Sequence, residues 1–239
     1  NPTVRVQFED GTITRLDLEE YIVGSILAEA DIRGLDRTTI ERVVQTQAIL
    51  ARTYALANRN RHQSDGFDLC STTHCQVYRS TEHLSPQNTN MSRFAAASTA
   101  GLVITHDGVP INAVFHADCG GHTSDSAAAW GGSTLPYLRG VLDHFCKRKN
   151  SAIWNFALEE SDFLTTLNLD PRTAIGSRLD GIRILSRDAS GRVLQVSLVG
   201  EQTIVIRGEE LRAVVTAEFG ARTIMSTRFD IQRDHRVRI

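Results

Sequence analysis

Four cysteines stand close to histidines in this chain: Cys70 and Cys75 flank His74, Cys119 lies between His116 and His122, and Cys146 follows His144. Thiolate and imidazole are the donors of tetrahedral zinc, and paired thiols form disulfides, so the set supports two chemistries. In an exported protein an even count pairs as disulfides. Cys-x4-Cys with His74 inside it could instead hold a metal, drawing a fourth ligand from a distant histidine such as His62 or His116. Neither half has a CxxC spacing, and adjacent His74 and Cys75 make an awkward pair of ligands for one ion. The reading therefore leans to disulfides, with zinc as the rival. Glu29, Gln47 and Arg52 are the other residues whose types suit chemistry. On residue type alone a helical glutamate is a solvated side chain, and an arginine in an Ala-rich helix is a buried ion-pair partner.

The elements that carry these residues follow from periodicity. Val4–Phe8 alternates apolar and polar residues, turns at Glu9–Gly11 and resumes over Thr12–Leu16, which predicts a β-hairpin. Asp17 can cap the next segment, with Glu20 completing a capping box, and Leu18, Tyr21, Ile22, Ser25 and Ile26 keep helical spacing. That short helix delivers Glu29 at or near its end. From Thr39 to about His62 apolar residues recur at three and four, predicting a long helix with Tyr54 on its apolar face. A polar, turn-rich stretch from Asn58 to Gln76 precedes a second helix over about Asn88–Thr99, with Met91, Phe94, Ala95 and Ser98 on one face. A hairpin over Gly101–Thr105 and Val109–Phe115 then delivers His116. Further strands are expected at Gly181–Arg187, Val193–Val199, Thr203–Ile206 and Met225–Ile231, and a helix at Glu209–Thr216. Helices and hairpin strands without βαβ alternation predict an α+β fold of mainly antiparallel strands with a long central helix and a second, shorter one, as a single domain over residues 1–239.

Composition narrows the function class. With 41% hydrophobic and 23% charged residues in 239, the chain can bury a full core. Its 26 basic and 28 acidic residues give a net charge of −2, which excludes the basic balance that nucleic-acid binding needs. No apolar run approaches the ~20 residues of a membrane-spanning helix. The chain is expected to be soluble, with an N-terminal signal or anchor either cleaved or outside this sequence.

Four stretches, spread between Leu18 and Trp154, together resemble the stage II sporulation protein D family and its amidase-enhancer relatives. They are Leu18–Gly24 with Ala28-Glu29; Thr46–Leu56; Cys70–Tyr78; and Phe115–Thr123 with Trp130-Gly and Pro136-Tyr-Leu138. Ala30-Asp31 stands where many members have Met-Pro, and the link to the next helix is several residues longer.

The resemblance implies a lytic transglycosylase that cleaves the bond between N-acetylmuramic acid and N-acetylglucosamine and leaves a 1,6-anhydro product, preferring strands stripped of stem peptides. One carboxylate suffices when the sugar's own 6-hydroxyl attacks in place of water. Glu29 would protonate the leaving oxygen and then accept the proton of that hydroxyl. The substrate-binding set implied is Gln47, Arg52, Thr73, His74, Gln76, Tyr78, His116, Gly120, Gly121, Thr123 and Trp130, a mixture of donors, acceptors and aromatic faces suited to sugars. The alternative function is a non-catalytic, glycan-binding activator of a cell-wall amidase. Peptidoglycan glycan strands and an amidase are the implied partners, and an extracytoplasmic location follows. There, Cys70–Cys75 and Cys119–Cys146 are the expected disulfides. No cofactor is expected, unless zinc takes the place of the first bridge.

Overall fold

The computed structural model describes residues 2–116, 118–146 and 154–239. They group into two compact units, Asn1–Phe115 and His116–Ile239, each with its own core.

In the first unit β1 (Thr3–Gln7) and β2 (Ile13–Asp17) form the expected antiparallel hairpin. The chain runs straight from β2 into α1 (Leu18–Glu29), whose first turn is capped by the Asp17 carboxylate accepting the Glu19 N–H at 2.9 Å. The expected capping box does not form. Glu20 pairs with Arg93 at 2.5 Å instead, because a guanidinium fork is a stronger partner than one amide. Asp36 caps α2 (Arg37–Ala57), accepting the Thr39 N–H at 3.1 Å. This helix ends five residues before the expected His62, where the Asn58 amide folds back onto the Tyr54 carbonyl at 3.0 Å and Asn60 turns left-handed at φ 72°.

β3 (Leu69–Cys70) then lies parallel to β1, a strand within the stretch expected to be turns alone. α3 (Pro86–Ser98) starts from Ser85 and Pro86, the residues that favour a helix N-terminus. Its buried face is Ser92, Ala95 and Ala96, rotated from the expected one, and Phe94 is 56% exposed. The small residues let α3 approach α2 closely. The hairpin before His116 is only two residues a side, β4 (Thr105–His106) and β5 (Val109–Pro110), with one more bond beyond it from the Ile111 N–H to the Ile104 carbonyl at 3.1 Å. The core is Val4 and Val6 of β1, Tyr21, Ile22 and Ile26 of α1, and Val44, Ala48 and Ala51 of α2, closed by Leu69.

The second unit contains α4 (Ser126–Trp130), β6 (Ala157–Glu159), α5 (Glu160–Asn168), β7 (Gly181–Arg187), β8 (Val193–Val199), β9 (Thr203–Arg207), α6 (Gly208–Phe219), β10 (Gln232–Arg233) and β11 (Arg236–Arg238). The strands β7, β8 and β9 pair antiparallel in that order, and a second small sheet runs β10-β11-β6. Met225–Ile231 is not a strand. Its apolar residues Phe229 and Ile231 pack on the core without joining a ladder, and the paired residues come just after them. α4 and α5 were not foreseen. The fold is α+β, as expected, and among the described residues no helix is long and apolar enough to cross a membrane.

Candidate functional site

Glu29 is the last residue of α1 and is half-buried. Ala30 leaves the helix in an extended conformation, so the carboxylate stands at an end. The Val77 N–H donates to Oε1 at 2.6 Å, a short charge-assisted bond from the loop after Cys75. Among the described residues no group pairs with Oε2. In the Ala30-Asp31 step that follows, the Asp31 carboxylate accepts from Arg33 at 2.8 Å.

The same loop carries a four-donor cluster. The donor atoms of His62, Cys70, His74 and Cys75 all lie within 4.8 Å of one another. His62 Nε2 is 3.2 Å from Cys75 Sγ, and His74 Nδ1 is 3.6 Å from Cys70 Sγ and 3.7 Å from Cys75 Sγ. Zinc at tetrahedral angles, bonded at about 2.3 Å to sulfur and 2.0–2.1 Å to nitrogen, spaces its ligands roughly 3.3–3.8 Å apart. Two of these three separations lie inside that range and one just below it, and His74, although next to Cys75 in the chain, turns Nδ1 toward both sulfurs. His62 reaches the site because Gly66, left-handed at φ 89°, turns the chain back and Phe67 stacks on the imidazole at 4.6 Å. On its far side His62 Nδ1 faces Asp65 Oδ2 at 3.5 Å, the carboxylate-behind-imidazole arrangement that orients metal-bound histidines. Burial raises the Cys70 thiol, but hydrogen bonds from Thr72, Cys75 and His74 outweigh it and bring it down to about 7. Burial and the adjacent Cys70 push Cys75 up to about 11. Both are free thiols in the structure.

Several predicted site residues face inward. Arg52 is 1% exposed, and its guanidinium binds both oxygens of Glu19 at 2.8 and 2.7 Å, the Ala96 and Leu102 carbonyls and the Thr99 hydroxyl. It joins α1, α2 and the end of α3, with its donors already engaged. Gln47 is 8% exposed and Gln76 1%, and the amide nitrogen of each is unpartnered. Tyr54 packs in the core and accepts from Arg61 at 2.9 Å. Tyr78 stacks on Tyr21 with ring centres 5.5 Å apart, leaving Thr73 and His74 as the exposed members of the loop.

In the second unit His116 is exposed, so it is not a core histidine, and Ala117 lies outside the described residues. Gly120 and Gly121 both take left-handed conformations, φ 67° and 95°. At Gly120 a side chain would meet the Arg228 guanidinium, 2.8 Å from where a Cβ would stand; that arginine donates to the Gly120 carbonyl at 2.6 Å. Arg192 holds the carbonyls of Cys119 and His122, each at 3.0 Å. These arginines, from a C-terminal third that contributed no candidate site residue, hold the glycine turn. Thr123 spends its hydroxyl on Val141, accepting that residue's N–H at 2.9 Å. Trp130 ends α4 at 59% exposure and so fills no core. Cys119, Asp143 and Cys146 form the second cluster, with donor atoms within 4.8 Å and Cys119 Sγ donating to Asp143 Oδ2 at 3.3 Å. These two thiols are also free.

Residues 9–106 match the family model of the Stage II sporulation protein. Stage II sporulation protein D of Bacillus subtilis (strain 168) is 25% identical over 214 residues, covering 84% of this chain and 58% of that protein. Its counterpart in Bacillus amyloliquefaciens is 25% identical over the same length, covering 84% and 56%. The chain is similar to the stage II sporulation protein D family. It spans a little over half the length of those two relatives. The stage II sporulation protein match contains Glu29, Gln47, Arg52 and the whole Cys70–Tyr78 loop, and stops before His116.

Proposed function

We propose that this chain is a peptidoglycan lytic transglycosylase of the stage II sporulation protein D type, with Glu29 as general acid and base. The observation that carries the reading is the placement of Glu29: a helix-terminal carboxylate with one oxygen held by a backbone N–H and the other unengaged among the described residues. Protonated, Glu29 gives its proton to the glycosidic oxygen as the C1–O4 bond breaks. The muramic acid 6-hydroxyl then attacks C1, Glu29 takes its proton, and the C1–O6 bond closes the anhydro ring. Water takes no part, so no second carboxylate is needed to activate it. Thr73, His74 and Tyr78 from the loop, and His116, Gly120, Gly121, Thr123 and Trp130 from the second unit, are the proposed glycan contacts. The 214 residues aligned with the relatives exceed either unit alone, so the similarity extends into both, in keeping with a single functional domain over residues 1–239.

The Cys70–His74–Cys75–His62 cluster holds zinc in preference to the disulfide expected from sequence, because a bridge would leave both imidazoles without a purpose. With four protein ligands the ion is structural and supplies rigidity to the loop that touches Glu29. Cys119–Cys146 is the disulfide. Cell-wall glycan places the protein outside the cytoplasm, where such a bond forms.

The test is the mass of what the pure protein releases from peptide-free glycan strands. Anhydro-terminated fragments are expected. Reducing ends would make the protein a hydrolase, and no cleavage together with stimulation of a cell-wall amidase would make it an activator.

A further inference from the structure

Tyr21, Ser25 and Glu29 recur every four residues and so share one stripe of α1. The segment Gln76–Arg79 lies along that stripe through four contacts. The Tyr21 hydroxyl donates to Gln76 Oε1 at 3.2 Å, the Val77 N–H to Glu29 Oε1 at 2.6 Å, and the Arg79 N–H to the Gly24 carbonyl at 3.2 Å. The fourth is the Tyr78 ring, stacked on Tyr21 with an interplanar angle of 7°. The fit leaves no room for a side chain at position 24: a Cβ there would run into the Tyr78 ring and stand 2.5 Å from the Arg79 carbonyl.

One feature of this seam is costly for mere packing. Gln76 Nε2 is buried without a partner, and such a group costs about 1–3 kcal/mol relative to a satisfied one. Leu or Met at position 76 would fill the same space without that cost. What the carboxamide does contribute is a directional bond to Tyr21, and Val77, the next residue, holds the carboxylate. Burial drives the Tyr21 phenol far above its ordinary pKa, so it remains a neutral donor. Adjacent Cα atoms are about 3.8 Å apart, so a shift of about an ångström at Gln76 carries Val77 N–H out of hydrogen-bonding range of Glu29.

We propose that Tyr21 and Gln76 are positioning residues, a buried latch that sets the register of the Gln76–Arg79 segment on α1 and thereby fixes the Glu29 carboxylate. Gln76 thus acts through Glu29 and not as a glycan ligand, in place of the role expected from sequence. The catalytic half of this inference rests on Glu29 being the acid and base. The latch itself is geometric.

Tyr21→Phe removes one oxygen and keeps the stacked ring, and Gln76→Met keeps the volume and loses the acceptor. Two measurements test the latch. Amide hydrogen exchange at Val77 is independent of activity: protection is expected to fall at least about tenfold in Tyr21→Phe with the α2 core amides unchanged, and unaltered Val77 protection overturns the latch. Steady-state cleavage of peptide-free glycan should show kcat down about tenfold to a hundredfold with KM within twofold. A raised KM at constant kcat would make Gln76 a substrate contact and overturn the proposal. In a Glu29→Gln background Tyr21→Phe should have no further effect on turnover. If the parent protein cleaves nothing, the reading of Glu29 fails, and the exchange measurement still decides the latch.

Discussion

Each unit contains a pair of cysteines brought together in space, and the pairs differ in what else converges on them. Around Cys70 and Cys75 the further donors are two imidazoles, at 3.2 to 3.7 Å. Around Cys119 and Cys146 the third donor is the Asp143 carboxylate, whose other oxygen already accepts the N–H groups of Phe145 and Cys146 at 2.9 and 3.2 Å. Four nitrogen and sulfur donors within 4.8 Å of one another suit a metal. Two thiols beside an occupied carboxylate suit a covalent bond. The count of cysteines is the same in both, and the histidines are what separates the zinc proposed for the first from the disulfide proposed for the second.

Removing a histidine from the first cluster is the strongest way to break that contrast. His62→Ala should take the purified protein from one zinc per chain to none and lower stability by about 3 kcal/mol, roughly 6–12 °C in Tm, read by metal analysis and thermal unfolding. Unchanged stability, or a Cys70–Cys75 bridge in the parent protein, would make the two clusters alike. A smaller effect is expected from the second. Denaturing, non-reducing mass analysis should find the chain two hydrogens lighter than its reduced form, with the bond mapped to Cys119 and Cys146. Replacing that pair with serine should cost about 2–3 kcal/mol and leave the zinc in place. A mass four hydrogens lower would restore the two disulfides expected from sequence.

How far these features could be read beforehand varied with the kind of signal. The first hairpin, α1 with Glu29 at its end, and the strands β7 and β8 were legible because alternation and four-residue spacing are local properties. α5 was missed: it spans nine residues, no side chain caps it, and Phe163 and Leu167 make too short an apolar stripe to stand out. Met225–Ile231 misled because burial of Phe229 produces an apolar pattern without any pairing partner. His62 was one of two candidate ligands, and only the turn at Gly66 distinguishes it from His116. The inward orientation of Gln76 was not legible at all, since the polar loop that contains it looks solvated until Tyr21 is placed against it. Arg52, left between site and scaffold on sequence, is placed by Glu19, 33 residues away in the chain, to which it binds through two bonds.

The central claim is that one carboxylate, Glu29, cleaves the glycan without water. Glu29→Gln keeps an oxygen that can accept the Val77 N–H and cannot transfer a proton, so fold and glycan binding should persist. The decisive measurement is mass spectrometry of peptide-free glycan incubated with the pure parent protein and with this variant. The account predicts 1,6-anhydro ends from the parent and a loss of at least about a thousandfold in their rate of formation in Glu29→Gln. Anhydro ends formed by the variant at a comparable rate would contradict it.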